Sequence, residues 1–267
     1  MIELKSVCGS CGSGKIQNIS FRLPNGKTYG ILSSRYEDAV CLCALMAGAR
    51  KNTEGSVLVG GFDLHKEAKK VRKNIGYLSA DLLPDNELTP IEYLMAVAEI
   101  LELPFDKTLR YAHELLELAD LADKKDRLIA NLTYGEKRIL CLLQILLGKP
   151  EFLILTSPLS NLPSSDATKM RELIAYFGET CTVFLCAPSL ADLREMSDEI
   201  IVLQDSTLAT ISSPDDSAWL EQFSFETAPS TITTEPAKKQ KVTPWSILTQ
   251  KSNDFEMLDT NEKEDKN

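Results

Sequence analysis

The chain is poor in basic charge. Its 267 residues carry 29 Lys and Arg against 39 Asp and Glu, a net charge of −10. That deficit argues against a nucleic-acid partner, because binding there is dominated by Lys and Arg contacts to phosphate. Long apolar runs are missing too. No stretch approaches the roughly 20 residues that a membrane-spanning helix needs, and the N-terminus lacks the pattern of a signal peptide. Any part in a membrane process is therefore expected from the cytoplasm, as a peripheral subunit. The seven cysteines do not read as a disulfide framework in a chain of this length. Cys8 and Cys11 form a C-x-x-C, and Cys41 and Cys43 a C-x-C. A metal or redox site would need these two pairs to meet in space; otherwise they are small apolar core residues of a reducing compartment.

A further absence is local. Tyr29–Leu32 reads as a short apolar strand feeding a helix, the usual setting of a glycine-rich phosphate loop. Yet the segment Ser33-Ser34-Arg35-Tyr36-Glu37-Asp38-Ala39-Val40 contains neither Gly nor Lys. Such a loop uses glycines for positive φ angles, a Lys for phosphate charge and a following Ser or Thr for magnesium. Here Ser34 and Glu37 have the S-x-x-E spacing of a capping box, so the helix start is expected to satisfy its own amides. Glu37 and Asp38 also place negative charge at the positive end of the helix dipole. At about 5 Å and an effective dielectric near 20, each would repel a phosphate charge by ~3 kcal/mol. Elsewhere, Gly9-Ser10-Cys11-Gly12-Ser13-Gly14-Lys15 fits G-x-x-x-x-G-K literally. Ile16 follows instead of Ser or Thr, and Ile16–Leu23 alternates as a strand, so this stretch is expected to be a hairpin turn.

With 43% hydrophobic and 25% charged residues, the chain can bury a sizeable core in one domain, or in one domain with a subdomain. Strands are expected at Met1–Val7, Ile16–Leu23, Lys27–Leu32, Gly55–Gly60 and Ile75–Leu78, with helices at Tyr36–Ala49 and Glu67–Lys73. The pattern is then helical from Thr89 to about Lys125 and again over Tyr134–Leu147. Glu151–Leu155 and Thr182–Cys186 are short apolar runs of the kind found in buried parallel sheets. Helices at Asp166–Phe177 and Ser189–Met196 alternate with them, and strands at Glu199–Leu203 and Leu208–Ile211 close the globular part. This is an α/β pattern with a helical insertion. Residues 1–225 are expected to form the domain, with a helical subdomain at about 88–132. Residues 226–267 turn to Thr, Ser, Pro, Lys and acids, a composition too polar to bury a core and expected to be disordered. An apolar island at 242–248, with Trp245, Ile247 and Leu248, is a candidate docking motif for a partner.

The order and spacing of these segments over residues 1 to 215 resemble the ATP-binding subunit of an ABC transporter. That resemblance implies a P-loop NTPase-like fold with an antiparallel β subdomain and a helical subdomain. In that family a phosphate loop follows the strand Tyr29–Leu32, and its Lys and Ser fall here on Ala39 and Val40. Its two glycines nearest the phosphates fall on Tyr36 and Asp38, and its adenine-stacking aromatic near Cys11. The segment Val71–Leu78 resembles the approach to the glutamine loop, but the Gln position holds Ala80. The signature Leu-Ser-Gly-Gly-Gln reads Leu132-Thr133-Tyr134-Gly135-Glu136, followed by Lys137-Arg138. The acidic motif after the apolar strand reads Phe152-Leu153-Ile154-Leu155-Thr156-Ser157-Pro158, so Thr156 replaces the magnesium ligand and Ser157 the water-polarising Glu. Pro163 stands where an Asp is usual, and Pro188 where the switch His is carried.

Residues that shape the fold thus follow the family, while nearly all those that handle ATP depart from it. Phosphoryl transfer rests on positioning and on charge neutralisation by Lys and Mg²⁺, and Thr, Ser or Pro cannot replace carboxylate or imidazole in proton handling. The expectation is a degenerate subunit: no catalytic residues of its own at the vacated Ala80, Ser157 and Pro188, no bound metal, and no ATP at its own site. Only vestigial phosphate-loop positions Ser33 to Val40 remain. The resemblance further implies a membrane permease and a second ATP-binding subunit as partners, in a homo- or heterodimer. Leu132 to Glu136 could then serve the partner's ATP, with Tyr134 crowding the γ-phosphate. The alternatives are an ordinary subunit that binds and hydrolyses Mg-ATP, a scaffold or regulator that kept the fold but left transport, and a metal or thiol sensor.

Overall fold

The structure, a computed structural model, describes residues 1–216. Ten strands and seven helices alternate along it. They are β1 (Ile2–Cys11), β2 (Gly14–Leu23), β3 (Thr28–Ser33), α1 (Tyr36–Met46), β4 (Glu54–Val59), β5 (Phe62–Asp63), α2 (Ala68–Val71), β6 (Ile75–Leu78), α3 (Pro90–Ile100), α4 (Phe105–Leu118) and α5 (Tyr134–Leu146). Then come β7 (Phe152–Thr156), α6 (Ser164–Gly178), β8 (Thr182–Cys186), α7 (Leu190–Met196), β9 (Glu199–Gln204) and β10 (Thr207–Ser212).

The strands form two sheets. A four-stranded antiparallel sheet has the order β2-β1-β4-β5, and a six-stranded sheet the order β10-β9-β3-β8-β7-β6. In the larger sheet β9, β3, β8, β7 and β6 run parallel, and only β10 is antiparallel. The buried strands sort their side chains with the period of two that the pleat imposes. Ile31, Phe152, Ile154, Phe184, Cys186, Ile201 and Leu203 join α1 and the antiparallel sheet in one core. Their neighbours Leu32, Leu153, Leu155, Val183, Leu185, Ile200 and Val202 face a second core with the remaining helices. Helix α1 is therefore sandwiched between the two sheets, which is why Leu42, Cys43, Leu45 and Met46 are all fully buried.

The literal G-x-x-x-x-G-K stretch is a hairpin, as its strand-like sequel implies. β1 and β2 run closer to each other than expected, pairing Cys11 with Gly14, and Gly12 makes the turn at φ 60°. Its glycines serve close packing on α1. A Cβ on Gly9 would lie 2.8 Å from Leu45 Cδ1, and one on Gly14 only 2.1 Å from the Glu37 carbonyl oxygen. Helix α1 itself is shorter than its apolar run suggests, because the chain turns at Gly48 with φ 68°.

The helical stretch after β6 divides into α3 and α4, broken where Glu102 takes φ 56° and Pro104 precedes α4. Thr89 and Glu92 form the capping box that starts α3. Arg138 of α5 is 1% exposed and ties this region to the end of β6, its Nη1 donating to the Ser79 and Leu82 carbonyls at 2.9 Å each. Arg138→Met removes the shorter of two hydrogen bonds at each acceptor, leaving the Leu82 N–H on Ser79 and the Cys141 thiol on Leu82 at 3.4 Å, so faster amide hydrogen exchange is expected through residues 79–85, with little change in β1 and β2. Among the described residues no helix is long and apolar enough to cross a membrane. The candidate docking residues Trp245, Ile247 and Leu248, and the rest of residues 226–267, lie outside the described residues.

Candidate functional site

Parallel strands gather chemistry at their carboxyl ends, where the following loops converge. Here β3 ends at Ser33, β7 at Thr156 and β8 at Cys186, side by side with β8 in the middle. The turn from β3 into α1 brings Tyr36 across this edge. Its hydroxyl hydrogen-bonds the Ser157 hydroxyl closely and lies 3.9 Å from the Cys186 thiol. Burial, with Cys186 beside it, drives the Tyr36 phenol upward, so it stays protonated and able to donate. Ser157, at φ 46°, is anchored by its own N–H donating to the Cys186 carbonyl at 2.9 Å. Beneath lies Cys43 of α1, held well above the usual thiol range by its bond to Cys186 and by complete burial. Thr156 is also wholly buried.

The start of α1 differs from the expectation in two respects. Ser34 and Glu37 form no capping box: the N-cap is Arg35, in extended conformation and without a side-chain bond. The Ser34 N–H is already engaged by the Leu203 carbonyl at 3.1 Å, and the helix begins one residue later than the S-x-x-E spacing requires. Asp38, expected to face the phosphate side, turns the other way. It is fully buried, accepting the Lys15 N–H at 2.8 Å and the Ser206 hydroxyl at 2.9 Å. A carboxylate in the first turn of a buried helix needs such donors, and the β2 edge and the β9–β10 turn supply them. The cation of the segment is also committed elsewhere, since Arg35 Nη2 donates to the Ser13 carbonyl at 3.0 Å. Ala39 is buried and Val40 packs against the same core.

Removing only the phenolic oxygen isolates this contact. Tyr36→Phe keeps the ring but loses the bond to Ser157, at a cost of about 1 kcal/mol. A fall of ~2–4 °C in the thermal midpoint is expected for a domain of this size, measured by circular dichroism.

Other expected site residues follow neighbouring elements. Ala80 follows β6, half-buried, and Pro188 is exposed just after β8, where Ser189 caps α7 by accepting the Asp192 N–H at 3.4 Å. Pro163 is the N-cap of α6. In the signature-like segment Thr133 and Glu136 make a full capping box on α5, and Lys124 pairs with Glu136 at 2.6 Å. Leu132 and Gly135 are buried, while Tyr134 is 40% exposed. One neighbour escaped the sequence reading: a Cβ on Gly135 would lie 1.8 Å from Asp166 Oδ2, so the α6 carboxylate stands directly on this glycine. Nothing in the spacing links the two positions; only the packing of α6 on α5 does.

The cysteines pair in a way their spacing did not suggest. Cys11 approaches Cys41, its Sγ 4.0 Å from the Cys41 carbonyl, and Cys43 meets Cys186. Cys8 looks along β2 instead, accepting the Asn18 N–H at 3.2 Å. Among the described residues no group of three or more His, Cys, Asp or Glu side chains is placed to hold a metal ion.

A profile of the ABC transporter family matches residues 16–160, from β2 to just beyond β7. The chain belongs to the ABC transporter family. Among curated relatives of this ABC protein, the linearmycin resistance ATP-binding protein of Bacillus subtilis is 24% identical over 218 residues, covering 81% of this chain and 70% of that one. The Fe(3+) ions import ATP-binding protein of Photobacterium profundum is 26% identical over 219 residues, 80% of this chain and 62% of its own. The methionine import ATP-binding protein of Lactobacillus delbrueckii subsp. bulgaricus is 24% identical over 201 residues, 71% and 57% of the two. The match thus spans about three fifths of the two import proteins. Among solved structures, an ATP-binding subunit of an ABC transporter superposes with a TM-score of 0.71 at 17% identity, over 85% of this chain and 95% of that one. A dimeric ATP-binding cassette holding ADP and Pi gives 0.68 at 20% identity, over 80% and 99%. At such identities these likenesses establish the fold: the ABC ATPase α/β fold with its antiparallel and predominantly parallel sheets.

Proposed function

We propose that this chain is the nucleotide-binding-domain subunit of an ABC-type transport system whose own ATP site is degenerate, with weak or absent ATP binding and hydrolysis. One observation carries the reading. The Tyr36 side chain, at a phosphate-loop glycine position, hydrogen-bonds Ser157, at the position of the water-polarising Glu. The surrounding residues do not fit Mg-ATP. No Lys lies between Ser33 and Cys41, Arg35 is turned to the hairpin, and Thr156 and Ser157 supply hydroxyls where a metal and a water need carboxylates. On this reading the Tyr36 ring takes the place of the phosphates more than the acids at the helix start do.

The family's architecture supports a peripheral, cytoplasmic subunit that docks on a membrane permease and pairs with a second ATP-binding subunit. Thr133 and Gly135 could still face that partner's nucleotide. Tyr134 and Asp166 then bring a ring and a negative charge to the same edge, which weakens any phosphate contact made there. Purified full-length protein is expected to release phosphate from Mg-ATP no faster than a protein-free blank. Robust Mg-dependent turnover, abolished by EDTA, would sink the proposal.

A further inference from the structure

The basic residues of this acidic chain are unevenly placed. Between Arg50 and Lys73 stand seven Lys or Arg and only three Asp or Glu, in a protein whose net charge is −10. Lys66, Lys69, Lys70, Arg72 and Lys73 all lie on the exposed connection from β5 through α2 to the start of β6. Lys51, from the α1–β4 loop, and Arg72 both bear on His65, so the two segments form one surface. None of these cations is in an ion pair among the described residues.

The nearby acids are used internally. Asp63 accepts the His65 and Lys66 N–H groups at 2.9 and 3.0 Å, and Glu67 accepts the Asp63 N–H at 3.3 Å. They order the loop backbone and form no ion pair with these cations. An exposed aromatic sits among the cations: Phe62 is 37% exposed, with Lys70 Nζ 3.3 Å from its ring centroid.

We propose that this surface binds anionic lipid headgroups. Lys and Arg clustered on one surface are attracted by the negative potential of anionic leaflets, and an exposed apolar side chain adds contact at the headgroup layer. Five of the seven cations are Lys, a flexible point charge suited to a fluid headgroup layer more than to the bidentate recognition that favours Arg. Nucleic acid fits less well: the Phe62 ring face is covered by Lys70, so it offers no platform for a base. The surface precedes Ile75, where β6 begins, whereas Tyr36 and Ser157 lie at the carboxyl ends of the parallel strands. Lipid binding is therefore independent of whether the nucleotide pocket is filled.

The test is co-flotation of the full-length protein with vesicles of phosphatidylcholine, alone or mixed with phosphatidylglycerol. Binding is expected only to the anionic vesicles and is expected to fall as salt rises. Replacing Lys69→Glu and Lys70→Glu together should weaken partitioning by at least about tenfold. Lys107→Glu with Arg110→Glu, on α4, should leave it near wild type. Lys66→Gln with Lys73→Gln, checked for native circular dichroism, repeats the test should the first pair disturb the loop. Equal binding to neutral vesicles, no loss in the Lys69/Lys70 or Lys66/Lys73 variants, or stronger capture by duplex RNA at equal phosphate concentration would each overturn the proposal.

Discussion

Gly14→Val is expected to lower the stability of this protein by at least ~3 kcal/mol, the upper range for overpacking a closed site. The reason is distance. A Cβ at position 14 lies 2.1 Å from the Glu37 carbonyl oxygen, 2.7 Å from its carbon and 2.9 Å from Cys41 Cβ. Two of these atoms are backbone, so no side-chain rotation relieves the clash, and the hairpin must lift from α1. A fall of roughly 6–12 °C in the thermal midpoint follows for a domain of this size. Lys15, the next residue and the formal phosphate Lys of the same motif, projects an exposed side chain. Lys15→Ala is therefore expected to stay within about 0.5 kcal/mol of wild type. The pair separates two accounts of one stretch. A phosphate loop is crippled chiefly by losing its Lys, whereas a packed hairpin is crippled by gaining a Cβ.

Asp38→Ala is expected to cost about 3 kcal/mol in chemical denaturation, because it strands one buried and one part-buried donor. The Lys15 N–H and the Ser206 hydroxyl both point at this carboxylate, and hydrogen bonds to a charged acceptor are each worth about 1.5–3 kcal/mol. The three partners belong to α1, β2 and the β9–β10 turn, so the loss loosens the junction of both sheets. Asp38→Asn keeps an oxygen for the Lys15 N–H and should lose about half as much. Glu37→Ala, next in the chain but only half-buried, should be nearly silent. An Asp38→Ala variant within about 0.5 kcal/mol of wild type would show that this carboxylate is not the junction described.

Much of the fold was legible in the sequence because burial writes it there. The apolar runs Glu151–Leu155 and Thr182–Cys186 read as buried parallel strands, and the structure has strands at Phe152–Thr156 and Thr182–Cys186, buried on both faces. The S/T-x-x-E signal is realised at Thr89 and Thr133, where the sequence reading placed helices without naming a cap. The same signal failed at Ser34, where a backbone bond to Leu203 from a distant strand had already taken the residue. Local pattern cannot see a partner that far along the chain. The two-residue strand β5 was missed because it is too short to show an alternation.

The site was legible by position and less so by direction. The spacing brought Tyr36, Ser157 and the residues beside Pro188 to one end of the sheet, yet it could not say where Tyr36 points. Nor could it tell that Asp38 turns toward Lys15, or that Asp166 stands on Gly135. Those facts depend on how α1 and α6 pack, and packing direction leaves no periodic trace. The cysteine spacing likewise says nothing of direction, although Cys41 and Cys43 are the buried core residues expected. Cys41 and Cys43 lie two apart on a helix and so diverge, one toward Cys11 and the other toward Cys186.

The central claim is that Tyr36 and its neighbours leave no room or charge for a nucleotide. Equilibrium dialysis of the purified full-length protein against radiolabelled ATP with magnesium tests it most directly. No saturable binding is expected up to millimolar ATP, a dissociation constant weaker than about 1 mM being equivalent to under ~4 kcal/mol of binding free energy. Saturation at one ATP per chain in the micromolar range, displaced by unlabelled ATP, would contradict the account.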